Sequence, residues 1–204
     1  MFRPSRTSVT VWIAVVAVIA GLSYVLTGAA IPPSSAQSQA PAAVVEFGPD
    51  GKLKQPVGYR KWVYVGTPLT PNDMNGDDDS ISEFHAVYID PESFAHYEKS
   101  GMFRDGTVML KEFIGVGSKE AISGNGYFMG EYTGLEASIK DSKRFKDEPG
   151  NWAYFNFGTR YPLKAEVSKE AVASCNTCHE DNAKTDWVFS QYYPVLRAAA
   201  PRSK

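Results

Sequence analysis

Five consecutive residues near the C-terminus constrain this chain more than any other part of it: Cys175-Asn176-Thr177-Cys178-His179. Two cysteines separated by two residues and followed at once by a histidine form the attachment signature of a c-type haem. On a short helical turn both thiols lie on one side, where each can add to a vinyl group of the porphyrin. The histidine then lies under the ring as an iron ligand. The signature therefore predicts Cys175 and Cys178 as haem attachment sites and His179 as the metal ligand.

Two other uses of a Cys-x-x-Cys pair fit the sequence less well. A redox dithiol does not need the adjacent histidine, and these are the only two cysteines in the chain. A zinc site would need a second pair of ligands, but His85 and His96 lie far away in sequence and are not spaced as a His-x3-His pair. Haem attachment is therefore the favoured interpretation.

The N-terminal segment predicts export. Arg3 and Arg6 precede an uncharged apolar run at 9–26, and small residues and prolines follow, with a cleavage site at 34–36. Residues 1–36 are therefore predicted to be a secretory signal peptide. The apolar run is close to the ~20 residues that span a bilayer, so an uncleaved membrane anchor is the alternative. In either case the rest of the chain is expected outside the cytoplasm, which suits c-type haem attachment.

The remainder of the chain is predicted to be one globular domain on a tether. Residues 37–47 are expected to form a linker, and residues 48–204 the haem domain. The chain is 43% apolar and 13% aromatic, which allows a sizeable core rich in rings. Its net charge of −2 gives no reason to expect nucleic acid as a partner.

The pattern of apolar residues predicts an antiparallel sheet followed by helices. Residues 58–65 predict a short helix or a strand. Asp90-Pro91 predicts the start of a helix that ends at Gly101. Aromatic and β-branched residues predict strands with short connections, at 84–89, 107–116, 127–132, 135–140 and 152–157.

The C-terminal part predicts helices. Ser168 is expected to cap a helix that leads into the haem motif. Thr185 or Asp186 is expected to cap a last helix over 187–189, which Pro194 bends or ends. Because strands come first and helices last, the predicted class is α+β: a mainly antiparallel β-sheet with flanking helices and a C-terminal helical haem-binding segment.

The predicted strand at 107–116 carries two charged residues in an otherwise apolar setting. Both faces of the strand are largely apolar, so it is expected to be covered on both sides. Lys111 lies on one face and Glu112 on the other, and a buried charge is unfavourable unless it is paired or used. From the pattern alone, the favoured interpretation is that Lys111 extends to the surface or pairs with a nearby carboxylate.

The ligand on the second side of the iron stays open at this point. Methionine or histidine closes that side in electron carriers, and the candidates are Met74, Met102, Met109, Met129, His85 and His96. A C-terminal haem motif behind a sheet-rich body differs from the compact helical layout of small electron-carrier cytochromes c.

Seven stretches resemble the cytochrome P460 family, and together they extend over roughly residues 46 to 198. These stretches are YRKWV (59–63), VYIDP (87–91), FRDGT (103–107), GNGYFMG (124–130), DSKRF (141–145), PGNWA (149–153) and the haem motif with DNAKTD (181–186).

The resemblance implies a periplasmic homodimer with a mainly antiparallel β fold, a histidine below the iron and an open distal side. In the enzymes of this family a lysine on a strand is also joined to a meso carbon of the porphyrin, and Lys111 matches it. On this interpretation Lys111 is bonded to the cofactor and not paired with an acid. The implied cofactor is a haem c, with its iron, two thioether bonds and a lysine cross-link. The related cytochromes c′-β share the fold without the cross-link and bind gases.

The activity implied is the oxidation of hydroxylamine to nitrous oxide or NO, with electrons passing to a soluble cytochrome c. In active members a carboxylate near the start of the haem helix serves as the base. Glu170 matches it, and Glu166 is the reserve candidate. The alternative for Glu170 is that its charge only stabilises the N-terminus of the helix through the helix dipole.

His85 stands where the family often has arginine. It could exchange a proton with bound substrate, or ligate the iron and close the site. The alternative function is a non-catalytic protein like cytochrome c′-β that binds NO or transfers electrons.

Overall fold

The computed structural model describes residues 44–76 and 83–201. The chain divides into two units, Met1–Ala40 and Pro41–Lys204, and the described residues belong to the second. The signal peptide or anchor predicted at 1–36, and the linker as far as residue 43, lie outside the described residues. Within the described part, no helix has both the length and the apolar composition needed to cross a membrane.

One antiparallel sheet dominates the described structure. The elements are β1 (Leu53–Lys54), β2 (Val63–Gly66), β3 (Leu69–Thr70), β4 (Glu83–Ile89), α1 (Pro91–Ser100), β5 (Val108–Val116), β6 (Met129–Lys140), β7 (Trp152–Gly158), β8 (Glu166–Val167), α2 (Val172–Asn182) and α3 (Pro194–Ala199). The strand order of the main sheet is β2-β4-β5-β6-β7, with β3 paired to β4, while β1 and β8 form a separate two-stranded sheet. The α+β class predicted from the sequence is therefore confirmed.

Most predicted strands are present, but two strands that were predicted as separate form a single one. β4, β5 and β7 confirm three predictions, and 58–65 contains both a 3-10 turn at Tyr59–Lys61 and strand β2. The strands predicted separately at 127–132 and 135–140 are one continuous strand, β6. Gly134 lies inside it at a register shift, where an added Cβ would lie 2.6 Å from the carbonyl oxygen of Gly158. The glycine therefore permits a close approach between strands and does not end β6.

Helix α1 confirms its predicted start and end. Asp90 caps the helix by accepting a hydrogen bond from Ser93 N at 2.9 Å, and Gly101 ends it with φ +72°. The other carboxylate oxygen of Asp90 accepts a bond from Val108 N at 2.9 Å. This buried side chain therefore ties α1 to the first residue of β5.

Both predictions of a helix start in the C-terminal region are wrong. Helix α2 begins at Val172, after Ala171, and not at Ser168. Residues 187–189 form no helix, because Asp186 and Trp187 both adopt positive φ in a tight turn. Pro194 begins α3 instead of ending a helix, because proline at the first helical position removes only an amide that would have no helical partner.

The main sheet has a core cluster on each face. Val108, Leu110 and Phe155 belong to the first cluster, while Met109 and Trp152 belong to the second. The predicted alternation of β5 is therefore correct. The second face packs against the C-terminal helices, and it is the face that positions the site described below.

The packed domain begins a few residues earlier than the predicted boundary at Gly48. Val44, Val45 and Phe47 pack against the first cluster. The ring of Phe47 meets Phe145 at 6.2 Å and Phe155 at 5.9 Å between centroids. The apolar end of the predicted linker is therefore part of the core.

The buried charge on the first face of β5 is paired. The Glu112 side chain is fully buried and accepts a hydrogen bond from Tyr59 Oη at 2.7 Å. Arg60 donates to both oxygens of the same carboxylate, from Nε to Oε2 at 3.1 Å and from Nη2 to Oε1. The 3-10 turn before β2 thus supplies the partners that a carboxylate needs in this core.

Candidate functional site

A cavity of about 770 Å³ lies between the second face of the sheet and the C-terminal helical segment. Its volume is within the ~300–1,000 Å³ typical of cofactor and ligand sites. The cavity brings together residues that are widely separated in sequence. All six site residues predicted from the sequence line it: His85, Lys111, Glu170, Cys175, Cys178 and His179.

Helix α2 is anchored so that the haem signature faces this cavity. Asn176, between the two cysteines, is buried and donates from Nδ2 to the carbonyl oxygen of Trp152 at 2.8 Å. Cys175 is half-buried, Cys178 is exposed, and the two are not joined by a disulfide. The thiols therefore lie on one wall of the cavity, as thioether attachment requires.

The geometry of His179 is that of an oriented metal ligand. Its Nδ1 lies 2.7 Å from the carbonyl oxygen of Trp187, so the ring donates this proton and presents Nε2 as the acceptor nitrogen. Burial lowers the pKa of His179, which favours the neutral form that can bind a metal. Tyr154 and Phe189 flank the ring, with centroids 4.5 and 4.6 Å away.

Two unsatisfied donors test whether a haem fits here. Tyr154 Oη and Trp187 Nε1 are buried with no hydrogen-bond partner among the described residues, and both residues line the cavity. Burial raises the pKa of Tyr154, so its hydroxyl keeps the proton. A haem carries carboxylates at its edge that can accept such bonds. The cavity therefore offers two thiols for attachment, one imidazole for the iron and two unpaired hydrogen-bond donors, and this combination suits a c-type haem.

Lys111 is paired with a nearby carboxylate, as the pattern of β5 alone predicted, and the cross-link that the resemblance implies stays a prediction. Its Nζ lies 2.7 Å from Glu136 Oε2 and 4.6 Å from the ring centroid of Phe113. Asn156 Nδ2 donates to the other oxygen of Glu136 at 3.2 Å. The side chains of Lys111 and Glu136 are 35% and 31% exposed, so both reach the open part of the cavity.

Sequence reasoning missed Glu136. Its alternation with Leu135 and Ala137 identified the correct face of β6, but that face borders the cavity and not bulk solvent. The register places Glu136 directly opposite Lys111. No local pattern reveals this pairing, because it depends on how β5 and β6 align.

The two candidate bases are placed differently. Glu170 lines the cavity, and its backbone N–H donates to the carbonyl oxygen of Tyr154 at 2.7 Å. Glu166 lies on β8, away from the cavity lining, with Oε1 3.7 Å from Lys52 Nζ. Glu170 lies two residues before the first residue of α2, so it is not part of the first turn, which contains no acidic residue.

His85 lies on the cavity wall beside a carboxylate. Its Nε2 is 3.0 Å from Glu83 Oε1, and its ring meets Phe113 edge-on at 5.2 Å. Of the six side chains considered for the second side of the iron, His85 and Met109 line the cavity. Met74, Met102 and Met129 are exposed at the surface.

Comparison with known proteins places the site in a family. The family model described as Cytochrome P460 matches residues 56–190, which is more than half of the chain. The matched range includes all six predicted site residues that line the cavity, from His85 to His179. No curated protein matches the chain significantly.

Proposed function

Since the chain belongs to the cytochrome P460 family, and is thus a haem protein of that family, we propose that it oxidises hydroxylamine to nitrous oxide or NO. The proposal rests on one observation: the residues for haem attachment, for the lysine cross-link and for proton removal lie around the same cavity. The haem signature, the lysine of a cross-link and two candidate proton acceptors all line it.

Cys175 and Cys178 would hold the haem through thioether bonds, and His179 would ligate the iron from one side. When bound, the haem supplies the iron at which electrons are withdrawn from substrate. The protein controls the imidazole through the bond from Nδ1 to Trp187, which sets its tautomer and direction.

Proton removal is the part of the chemistry that the protein side chains must perform. Two hydroxylamine molecules give nitrous oxide and water with loss of four protons and four electrons; formation of NO releases three of each. Glu170 is held at the cavity by its bond to the Tyr154 carbonyl oxygen, and a carboxylate there can accept N–H or O–H protons. His85, with Glu83 on its Nε2, is the second proton-exchanging group.

Lys111 would carry the additional bond to the porphyrin in the cross-linked form. Its position on the central strand β5 and its exposure to the cavity support that assignment. The Glu136 carboxylate, 2.7 Å from Nζ, would hold the amine at the cavity wall.

One observation favours the second candidate function. The ion pair with Glu136 satisfies Lys111 as an ordinary ammonium group. If that state persists with haem bound, the protein is the cytochrome c′-β-like alternative, which binds NO or transfers electrons without oxidising hydroxylamine.

The absorption spectrum of the reduced protein separates the two functions. A cross-linked haem should show a Soret band far to the red of an ordinary c-type haem, and Lys111→Ala should restore the ordinary band. Lys143→Ala, at an exposed lysine, is the control and should change nothing. An ordinary c-type Soret band in the unmodified protein would contradict the proposal that it oxidises hydroxylamine.

The role of Glu170 is tested by turnover. Glu170→Ala should leave the spectrum intact but slow hydroxylamine-dependent reduction of an added electron acceptor, because general bases contribute ~10²–10⁴-fold. Glu166→Ala is the matched control, since Glu166 lies nearby in sequence but off the cavity. Equal turnover in both variants would remove Glu170 from the mechanism.

The setting of the reaction is part of the same proposal. We place the mature protein in the periplasm as a homodimer that passes electrons to a soluble cytochrome c. Membrane attachment follows only if the N-terminal segment is not cleaved. Nucleic acid is not a proposed partner, given the net charge of −2.

A further inference from the structure

The residues behind His179 form a strained turn. Thr185 and Val188 close it with two backbone hydrogen bonds, of 3.3 and 2.8 Å. Its central residues, Asp186 and Trp187, have φ of +46° and +61°. Positive φ at both central positions belongs to type I′ turns, which favour Asn-Gly. A tryptophan with positive φ is an outlier that its surroundings must hold in place.

An ion pair with the end of β6 holds this turn. Lys140 Nζ lies 2.5 Å from Asp186 Oδ2, and their side chains are 17% and 10% exposed. Trp152 Nε1 lies 3.5 Å from the other oxygen, Oδ1. Asp186 is therefore fixed by groups from two adjacent strands of the main sheet.

The indole of Trp187 is wedged against a second turn. A Cβ added to Gly150 would lie only 2.4 Å from Trp187 Cε3, which is closer than real side chains allow. Gly150 itself has φ +60°. The strained turn is thus clamped from two sides: by Lys140 at Asp186, and by the Gly150 backbone at Trp187.

The clamped turn presents the carbonyl oxygen of Trp187 to His179, and this oxygen accepts the Nδ1 proton at 2.7 Å. Hydrogen bonds to the outer nitrogen of a ligating histidine fix its orientation and raise its basicity. Any shift of the turn therefore changes the orientation and the basicity of His179 Nε2, the nitrogen that would bind the iron.

We propose that Lys140 and Asp186 are positioning residues that set the electronic character of the haem through His179. The inference rests on the proposed ligation of the haem iron by His179. Neither residue lines the cavity, so they act through the Trp187 carbonyl group and not on substrate.

The test is the reduction potential of the haem in the holoprotein, with the iron–histidine vibration of the ferrous form as a second readout. Lys140→Met and Asp186→Ala should weaken the bond to Nδ1, make the imidazole a poorer electron donor and raise the potential. We expect about a tenfold shift toward the reduced form, or ~59 mV for a one-electron couple.

Three further variants separate positioning from general damage. Lys140→Arg keeps the charge and should stay near the unmodified potential. Asp186→Asn keeps the shape and tolerates positive φ, so it should fold and shift the potential less, in the same direction. Lys143→Met makes the same chemical change at an exposed lysine and should shift nothing.

The proposal is overturned if Lys140→Met, Asp186→Ala and Asp186→Asn bind haem but keep the unmodified potential and iron–histidine vibration. It is also overturned if Lys143→Met shifts both readouts as much as Lys140→Met. Both readouts are taken without hydroxylamine, so failure of the proposed oxidation would leave them unaffected. Loss of ligation by His179 itself would instead appear as a missing iron–histidine vibration in the unmodified protein.

Discussion

Substitution of Gly150 by alanine should damage this protein by two separable effects. The first is conformational: Gly150 has φ +60°, a left-handed conformation that penalises an L-residue by about 1–2 kcal/mol. The second is steric: the new Cβ would lie 2.4, 2.6 and 2.8 Å from three atoms of the Trp187 ring. Overpacking of this kind typically costs about 1–3 kcal/mol.

The combined loss for Gly150→Ala is therefore about 2–5 kcal/mol, a large fraction of the ~5–15 kcal/mol that stabilises a typical domain. Gly58→Ala is the matched control. Gly58 has φ +72°, but an added Cβ there meets nothing within 4 Å. This control should lose only the conformational part, about 1–2 kcal/mol.

Urea denaturation of the two holoproteins measures the difference. Gly150→Ala should be the less stable by about 1–3 kcal/mol, with an altered environment of His179, because the Trp187 carbonyl group moves with its ring. Equal stability of the two variants would refute the reasoning, since Trp187 would then not be wedged against the Gly150 backbone.

Two further predictions concern the frame around the site. Asp90→Ala removes a helix cap, worth about 1 kcal/mol, and leaves Val108 N–H buried without its acceptor, which costs about 1–3 kcal/mol more; denaturation should show Asp90→Asn losing less, and no loss in either variant would contradict the cap. Burial raises the pKa of Tyr193 to about 12, above its ordinary ~10, so the unfolded chain releases this proton first as pH rises. The free energy of unfolding should therefore decline from about pH 10 to 12, and denaturation at several pH values should show a smaller decline for Tyr193→Phe; an identical decline would exclude Tyr193 as a cause.

The parts of the site that were predictable from sequence depend on local spacing. Cys175, Cys178 and His179 are set by one helical turn, so their shared wall of the cavity follows from five residues. The alternation of β5 likewise placed Lys111 and Glu112 on opposite faces correctly. The partners of those charges were not predictable, because Glu136 and the Tyr59–Arg60 pair reach them through strand register and a distant turn.

The error at residues 185–189 has the same physical origin. An aspartate before an apolar run is typical of a helix N-cap. Here Lys140, on a strand far upstream, binds the Asp186 carboxylate at 2.5 Å, and Gly150 accommodates the indole of Trp187. Tertiary contacts thus select a turn where local preference favours a helix.

The central claim, a haem bound to Cys175 and Cys178 and cross-linked to Lys111, is tested most directly by peptide mass analysis. Holoprotein digested with a protease should yield one haem that joins two peptides, one containing both cysteines and the other containing Lys111. Lys111→Ala should yield haem on the cysteine peptide alone. Haem attached only to the cysteine peptide in the unmodified protein would contradict the account.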